Sequence, residues 1–238
     1  MTTSGTSTFN LDLNNLVEEA FERCGAELRT GYDLRTARRS LNLLTIEWAN
    51  RGINLWTLEQ GTIALNQGQI TYDLPVDTID LLDHVVRTGS GQNQTDINIS
   101  RISESTYITI PNKNATGRPI QVWINRQSGA TNPGPTVDYP QINVWPAPDQ
   151  SNFYTFVYFR LRRIQDAGEG GTRTQDIPFR FLPAMVAGLA YHLSLKIPGA
   201  LERSQMLKAE YEQAYQLAAD EDREKAPVRF VPRTMFYR

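Results

Sequence analysis

The sequence is poor in the side chains on which many catalytic and metal sites depend, with one cysteine and two histidines among 238 residues. A single cysteine, Cys24, cannot form an intramolecular disulfide, so we expect the chain to fold in a reducing cytoplasm. Positive charge is not in excess either, because 24 Lys and Arg face 26 Asp and Glu. That balance argues against a dedicated nucleic-acid-binding protein, which would carry a basic surplus.

Long apolar runs are also missing, and none reaches the roughly 20 residues that a membrane-spanning helix requires. Residues 1–8 lack the basic and apolar regions of a signal peptide, so no such leader is expected. With 40% hydrophobic and 21% charged residues, the composition is that of a globular protein, and the length allows one large or two small domains.

Helical periodicity marks both ends of the chain. Apolar residues recur at the spacing of one helix face over residues 13–24, with Asp12 as the expected N-cap and Gly25 as the stop. A second helix is predicted between Asp33 and Gly52. Two further apolar stripes near the other end consist of Leu182, Met185, Val186, Leu189 and Leu193, and of Leu207, Tyr211, Ala214, Tyr215 and Ala218.

The second predicted helix also carries a basic cluster, Arg35, Arg38 and Arg39, which lies off its apolar stripe. A solvated helix face and a contact surface for a partner both fit this placement.

Between Asn54 and about Arg163 the chain changes to short β-type runs separated by Gly, Pro and Asn. About eight such strands indicate an antiparallel sandwich or barrel. One run, residues 153–159, is apolar or aromatic on both faces, which fits either a central strand or a strand covered by a neighbouring subunit. The candidate subunit-interface residues are Phe153, Tyr154, Phe156, Tyr158 and Phe159.

These patterns predict an α+β fold. An antiparallel helical bundle of residues 1–53 and 172–226 would carry an inserted antiparallel β-sandwich or barrel-like domain of residues 54–171. Residues 227–238, which begin with the proline that ends the last helix, would form an extended C-terminal arm.

No catalytic, cofactor or metal site is predicted. Cys24 falls on an apolar stripe and is expected in the core, and His192 reads as a packed or capping residue. The loop of residues 168–171 lacks the glycine and lysine positions of a phosphate-binding loop. The densest group of residues of the kinds that bind cations consists of Asp77, Asp80, Asp83 and His84. Their spacing matches no calcium-binding loop.

Two arginines remain as candidates for DNA contact. Arg160 and Arg162 alternate along a predicted strand and would therefore share one face of a sheet. A solvated face is the default expectation for them, and a lining for passing DNA is the functional alternative.

Four local features appear in a recognisable order: a helix end followed by Leu55-Trp56, a turn-rich pair of segments, a Trp-Pro segment before the aromatic strand, and a late Pro-Gly helix stop. The helix end is Leu44–Gly52. The pair of segments consists of Tyr72–Asp77 and of Ile108–Lys113 with Gly117–Pro119. The Trp-Pro segment is Val144–Asp149, and the helix stop closes Ala190–Gly199. In this order the chain resembles the head-to-tail adaptor proteins of short-tailed phages, of the tail-tubular-protein-A and tail-accessory-factor type.

The resemblance implies a twelve-fold homo-oligomeric ring under the portal protein, with a tail tube or nozzle protein on its other side and viral DNA passing through the centre. It places the protein in the virion neck or tail, assembled in the host cytoplasm and without a membrane partner. It also implies that the C-terminal arm docks into the portal, which gives a role to Val228, Arg229, Phe230, Arg233, Met235, Phe236, Tyr237 and Arg238.

Two other functions stay open at this stage. Glu104, which precedes the predicted strand 106–110, and Glu47 raise a tail-associated peptidoglycan-degrading enzyme as an alternative. The aromatic residues Trp123, Trp145 and Tyr139 raise a carbohydrate-binding or receptor-binding β module.

Overall fold

The structure is a computed structural model that describes residues 3–52, 55–126, 139–223 and 225. The chain divides into two compact units. Described residues up to Glu47 and from Asp166 onward form the helical unit, and residues from Trp48 to Gln165 form the β unit. The predicted β domain of residues 54–171 thus begins and ends six residues later than the observed unit.

The fold is mixed α+β, with five α-helices and two four-stranded sheets in the described part of the chain. The helices are α1 (Leu13–Cys24), α2 (Gly31–Arg51), α3 (Glu104–Ile108), α4 (Leu182–Ser194) and α5 (Ser204–Glu221). Short 3₁₀ turns cover Leu55–Thr57, Gly91–Asn93, Phe179–Phe181 and Leu201–Arg203. None of the described helices is long and apolar enough to cross a membrane.

Both ends of α1 follow from short-range chemistry. The Asp12 side chain accepts a hydrogen bond of 2.8 Å from the backbone N–H of Asn15, which caps the first turn. Gly25 has a φ of 76°, in the left-handed region that favours glycine, and its N–H bonds to the carbonyl of Glu22. The predicted N-cap and stop of this helix are confirmed.

The helix α2 begins at Gly31, whereas the sequence predicted a helix that follows Asp33. Thr30 and Asp33 explain the difference, because each side chain accepts a hydrogen bond from the other residue's backbone N–H, at 3.2 and 3.1 Å. These two reciprocal hydrogen bonds stabilise a first helical turn that lies before the residues of the apolar stripe.

The loop before α4 is tied to the start of α1. The backbone N–H groups of Leu13 and Asn14 donate to the carbonyls of Arg173 and Gly171, at 3.0 and 2.9 Å. These bonds satisfy donors that a helix start leaves unpaired. A Cβ on Gly171 would lie 2.0 Å from the Asn14 side chain, so the contact requires glycine.

The centre of the helical unit is α4, which packs against α1 and α5. Its sequence shows a stripe, yet 10 of its 13 residues are buried, so nearly the whole helix surface is covered. Gly188 allows this crowding, since a Cβ there would lie 2.9 Å from side-chain carbons of Leu44 and Tyr211. Small residues at such a position let neighbouring side chains approach the helix backbone.

The described residues of the β unit form eight strands, in agreement with the expected number. One sheet has the order β1 (Leu58–Ala64), β8 (Tyr154–Arg162), β3 (Thr78–Thr88) and β4 (Thr95–Asn98). The other has the order β2 (Thr71–Asp73), β7 (Gln141–Trp145), β6 (Gln121–Asn125) and β5 (Ser100–Ile102). Both sheets contribute to one apolar core that includes Leu81, Phe156, Tyr158, Val122 and Ile142.

Three sequence expectations for the β unit need correction. The pairing of β5 with β6 is parallel, so the strands are not all antiparallel. Neither sheet is closed over the described residues, which excludes a barrel there. Residues 106–110 do not form a strand, because the Ser103 side chain accepts from the N–H of Thr106 and starts α3.

Candidate assembly surfaces

The aromatic strand β8 supplies both core and surface. Tyr154, Phe156 and Tyr158 are buried inside the β unit, which accounts for their apolar character without a neighbouring subunit. Phe153 and Phe159 are about half exposed. Of the five residues predicted at a subunit interface, only these two lie where another chain could reach a large part of the side chain.

Arg160 and Arg162 lie on β8 in a network with carboxylates of the neighbouring segments. The guanidinium of Arg160 donates to Asp77 at 2.6 Å and to Glu59 at 2.7 Å, and Arg162 donates to the second oxygen of Glu59 at 2.7 Å. Both arginines are nearly buried, so the expected solvated arginine face is wrong.

The electrostatics of Arg160 agree with a structural role. Burial by itself lowers its pKa, but the hydrogen bonds and charges of Asp77 and Glu59 outweigh burial and raise the pKa above its ordinary value. The charge of a guanidinium paired with two carboxylates is already compensated. The predicted contact of these arginines with DNA stays a prediction, and their geometry favours stabilisation of the sheet.

Replacing Arg160 by methionine should therefore lower the free energy of unfolding of the β unit. We expect a loss of about 2 kcal/mol, less than for a fully buried pair because Glu59 and Asp77 are partly exposed. Arg126→Met is the matched control, since Arg126 is 61% exposed and pairs only at the surface with Asp80. Urea denaturation of both variants measures the difference, and equal losses would contradict a special role for Arg160.

The candidate metal ligands are separated by ion pairs. Asp80 accepts hydrogen bonds from Arg101 and Arg126, at 2.9 and 3.3 Å, while Asp77 faces Arg160. His84 stacks on Phe156 at a ring distance of 5.8 Å, and burial, followed by the charge of Arg101, lowers its pKa below 6.5. No group of three potential ligands that could hold a metal ion occurs within the described residues.

The remaining polar candidates in the helical unit have partners. The Cys24 thiol donates to the carbonyl of Ala190 at 3.1 Å, and burial raises its pKa to about 11, which suits a core residue better than a nucleophile. Glu47 accepts from the Tyr211 hydroxyl at 3.0 Å and lies 3.4 Å from the imidazole of His192. This cluster links α2, α4 and α5.

Apart from Glu47, the residues behind the two alternative functions lie in the β unit. Glu104 is exposed and is the first residue of α3, a helix with no buried residue. Trp123 stacks on Tyr107 of α3 at 5.0 Å, and the indole N–H of Trp145 donates to the carbonyl of Asn112 at 2.9 Å. The segment around α3 thus occupies one side of each tryptophan, while Tyr139 is exposed.

The helix α2 presents an outer face that the sequence analysis did not single out. Tyr32, Leu43 and Ile46 recur at helical spacing and are 63%, 58% and 42% exposed, with Arg35 and Arg39 on the same side. We call these five residues the α2 outer face. The helical spacing of these exposed apolar residues, separate from the buried stripe, is the sequence signal that could have indicated this face.

A groove of about 800 Å³ borders this face within the helical unit. Tyr32, Arg39 and Leu43 line one side of it, and Lys196 and Ile197, which follow α4, line the other. The predicted portal-docking arm of residues 227–238 lies outside the described residues, and so does any contact that it makes.

A family model described as SU10 adaptor protein matches residues 12–231, which takes in both units. The chain belongs to this family of phage adaptor proteins and is therefore a structural component of the virion that contacts other phage head and tail proteins. A comparison with curated proteins gave no match.

Proposed function

We propose that the protein forms the homo-oligomeric ring that joins the portal to the tail tube or nozzle of a short-tailed phage. The observation that carries the proposal is the family match over both units. The exposed apolar positions on α2 and β8 support it, because oligomer interfaces are enriched in such side chains at their centre. By analogy with the proteins that the sequence resembles, the ring would hold twelve copies.

Viral DNA would pass through the centre of this ring. The formal charge of −2 suits such a passage, because many Lys and Arg contacts with phosphates would hold the DNA in place. The pairing of Arg160 and Arg162 with carboxylates reduces the free positive charge of the β unit. This pairing would likewise weaken the attraction of the β unit for DNA phosphates.

Mixing the purified chain with its portal protein tests the proposal. We expect native mass spectrometry to show a high-order cyclic complex on the portal, and electron microscopy to show an added ring with a central opening. The portal without the adaptor is the control. A chain that remains monomeric and never joins the portal would contradict the proposed function.

We further propose that the protein acts without catalysis. Glu104→Gln and Glu47→Gln variants should then assemble into infectious particles as efficiently as the parent, because neither carboxylate would transfer a proton to a substrate. Phage titre and a peptidoglycan-clearing assay measure this. Clearing by the purified parent that Glu104→Gln alone abolished would instead support the alternative of a peptidoglycan-degrading enzyme.

A further inference from the structure

The helical unit carries a second exposed helix face besides the α2 outer face. On α5, Met206 and Leu217 are 62% and 65% exposed, and Gln213 lies between them on the same side. We call these three residues the α5 outer face. It lies opposite the buried stripe of α5, which includes Leu207, Tyr211 and Tyr215, so these side chains contribute little to the core of the unit.

The two helices differ in the sign of their charge. Helix α2 carries four arginines against two acidic residues, whereas α5 carries one lysine against four acidic residues. Arg35 has no ion-pair partner among the described residues, and the only hydrogen bond of the Arg39 side chain there goes to Thr36. The helical unit thus carries one basic face and one acidic helix, and each of them has exposed apolar residues.

Some acidic residues of α5 already have partners within the chain. Glu210 pairs with Arg23 at 2.6 Å, and Asp220 and Glu221 pair with Arg223 and Lys225. These pairs are partly to largely exposed, and exposed ion pairs contribute little to stability. They can therefore exchange partners when an arginine of another chain approaches.

We propose that the α2 outer face of one copy of the chain docks on the α5 outer face of the next copy. The inference rests on the proposed ring function and names the surfaces that would build the ring. Two different complementary faces on one subunit form a heterologous contact, which repeats from copy to copy until a ring closes. Charge complementarity selects a second copy as the occupant, because Arg35 and Arg39 of the α2 outer face find their opposite charge in the carboxylates of helix α5 on the same chain.

Two variants, each blocked on one face, test the inference. Leu43→Asp with Ile46→Asp blocks the α2 outer face, and Met206→Asp with Leu217→Asp blocks the α5 outer face. Burying carboxylates without a partner opposes docking, and the two blocked faces repel each other. The substituted side chains are 42% to 65% exposed, so both variants should fold with the thermal midpoint of the parent.

The two variants should each remain monomeric in solution and should form no closed ring on the portal. An equimolar mixture should give a complex of two copies and nothing larger, because only one intact α2 outer face and one intact α5 outer face can meet. Sedimentation velocity and native mass spectrometry measure both results. Ile108→Asp, at a residue 66% exposed in the β unit, is the matched control and should assemble like the parent.

The outcomes separate this inference from the proposed function. If the parent forms rings and both blocked variants do so too, the inference is overturned while the ring function stands. If one variant alone loses assembly and the mixture gives no two-copy complex, that face binds another protein such as the portal, and the inference is again overturned. If the parent forms no ring even on the portal, the proposed function fails and the inference with it.

Discussion

Deletion of the residues after Ala226 should abolish attachment of the protein to the portal while leaving its helical content and thermal midpoint almost unchanged. The deleted twelve residues include four large apolar or aromatic side chains and three arginines. Burying each of the four apolar or aromatic side chains contributes about 1.5–3 kcal/mol to the free energy of binding. Ordering the backbone costs about 1–2 kcal/mol per residue. Because the cost of ordering twelve residues exceeds the gain from burying four side chains, the segment should become ordered only where a partner offers a preformed groove and acidic groups for the arginines.

Pull-down on immobilised portal and a thermal melt of the free chain measure the two effects. A second variant keeps the length of the segment but replaces Phe230, Met235, Phe236 and Tyr237 by alanine, and it should bind as weakly as the deletion. If the deletion unfolded the monomer, the segment would belong to its own unit. If portal binding survived the deletion, the predicted docking arm would be wrong.

Phe156→Ala should cost the β unit about 3–5 kcal/mol in its free energy of unfolding. Phe156 is fully buried between two sheets, so its removal leaves a cavity that the surrounding side chains fill only in part. Phe159→Ala, three residues further along the same strand, should change the stability by less than about 1 kcal/mol, because that ring is half exposed.

The variants Phe156→Ala and Phe159→Ala also distinguish a side chain of the core from a side chain of the subunit interface. Urea denaturation followed by tryptophan fluorescence gives the stabilities, and native mass spectrometry with the portal gives the assembly. We expect Phe159→Ala to fold like the parent and to weaken ring formation. Equal losses of stability for the two variants would mean that Phe159 also belongs to the core, and unchanged assembly by Phe159→Ala would remove it from the candidate interface.

The parts of the fold that the sequence predicted well are those held by neighbours in the chain. Asp12 caps the N–H of a residue three positions away, and Gly25 ends the same helix through its own backbone conformation. Such signals need no knowledge of the tertiary structure.

The incorrect expectations concern segments whose local signals conflict. Residues 106–110 contain β-branched residues that favour a strand, but the Ser103 cap starts a short helix, and Trp123 stacks on Tyr107 of that helix. Arg160 and Arg162 look like a solvated pair because their partners are distant in sequence, with Glu59 and Asp77 about 100 and 80 positions earlier. Periodicity cannot identify partners at such separations.

By itself the sequence determined the α+β class, the positions of the main helices, the number of strands and the resemblance to phage adaptors, because caps, periodicity and motif order are written in adjacent residues. Only the tertiary structure decided which aromatic residues of β8 are core and which are surface, which carboxylates hold Arg160, and that Tyr32, Leu43 and Ile46 are left exposed. The physical reason is that burial and ion pairing depend on which segments meet in space, and that is settled by the packing of the whole unit.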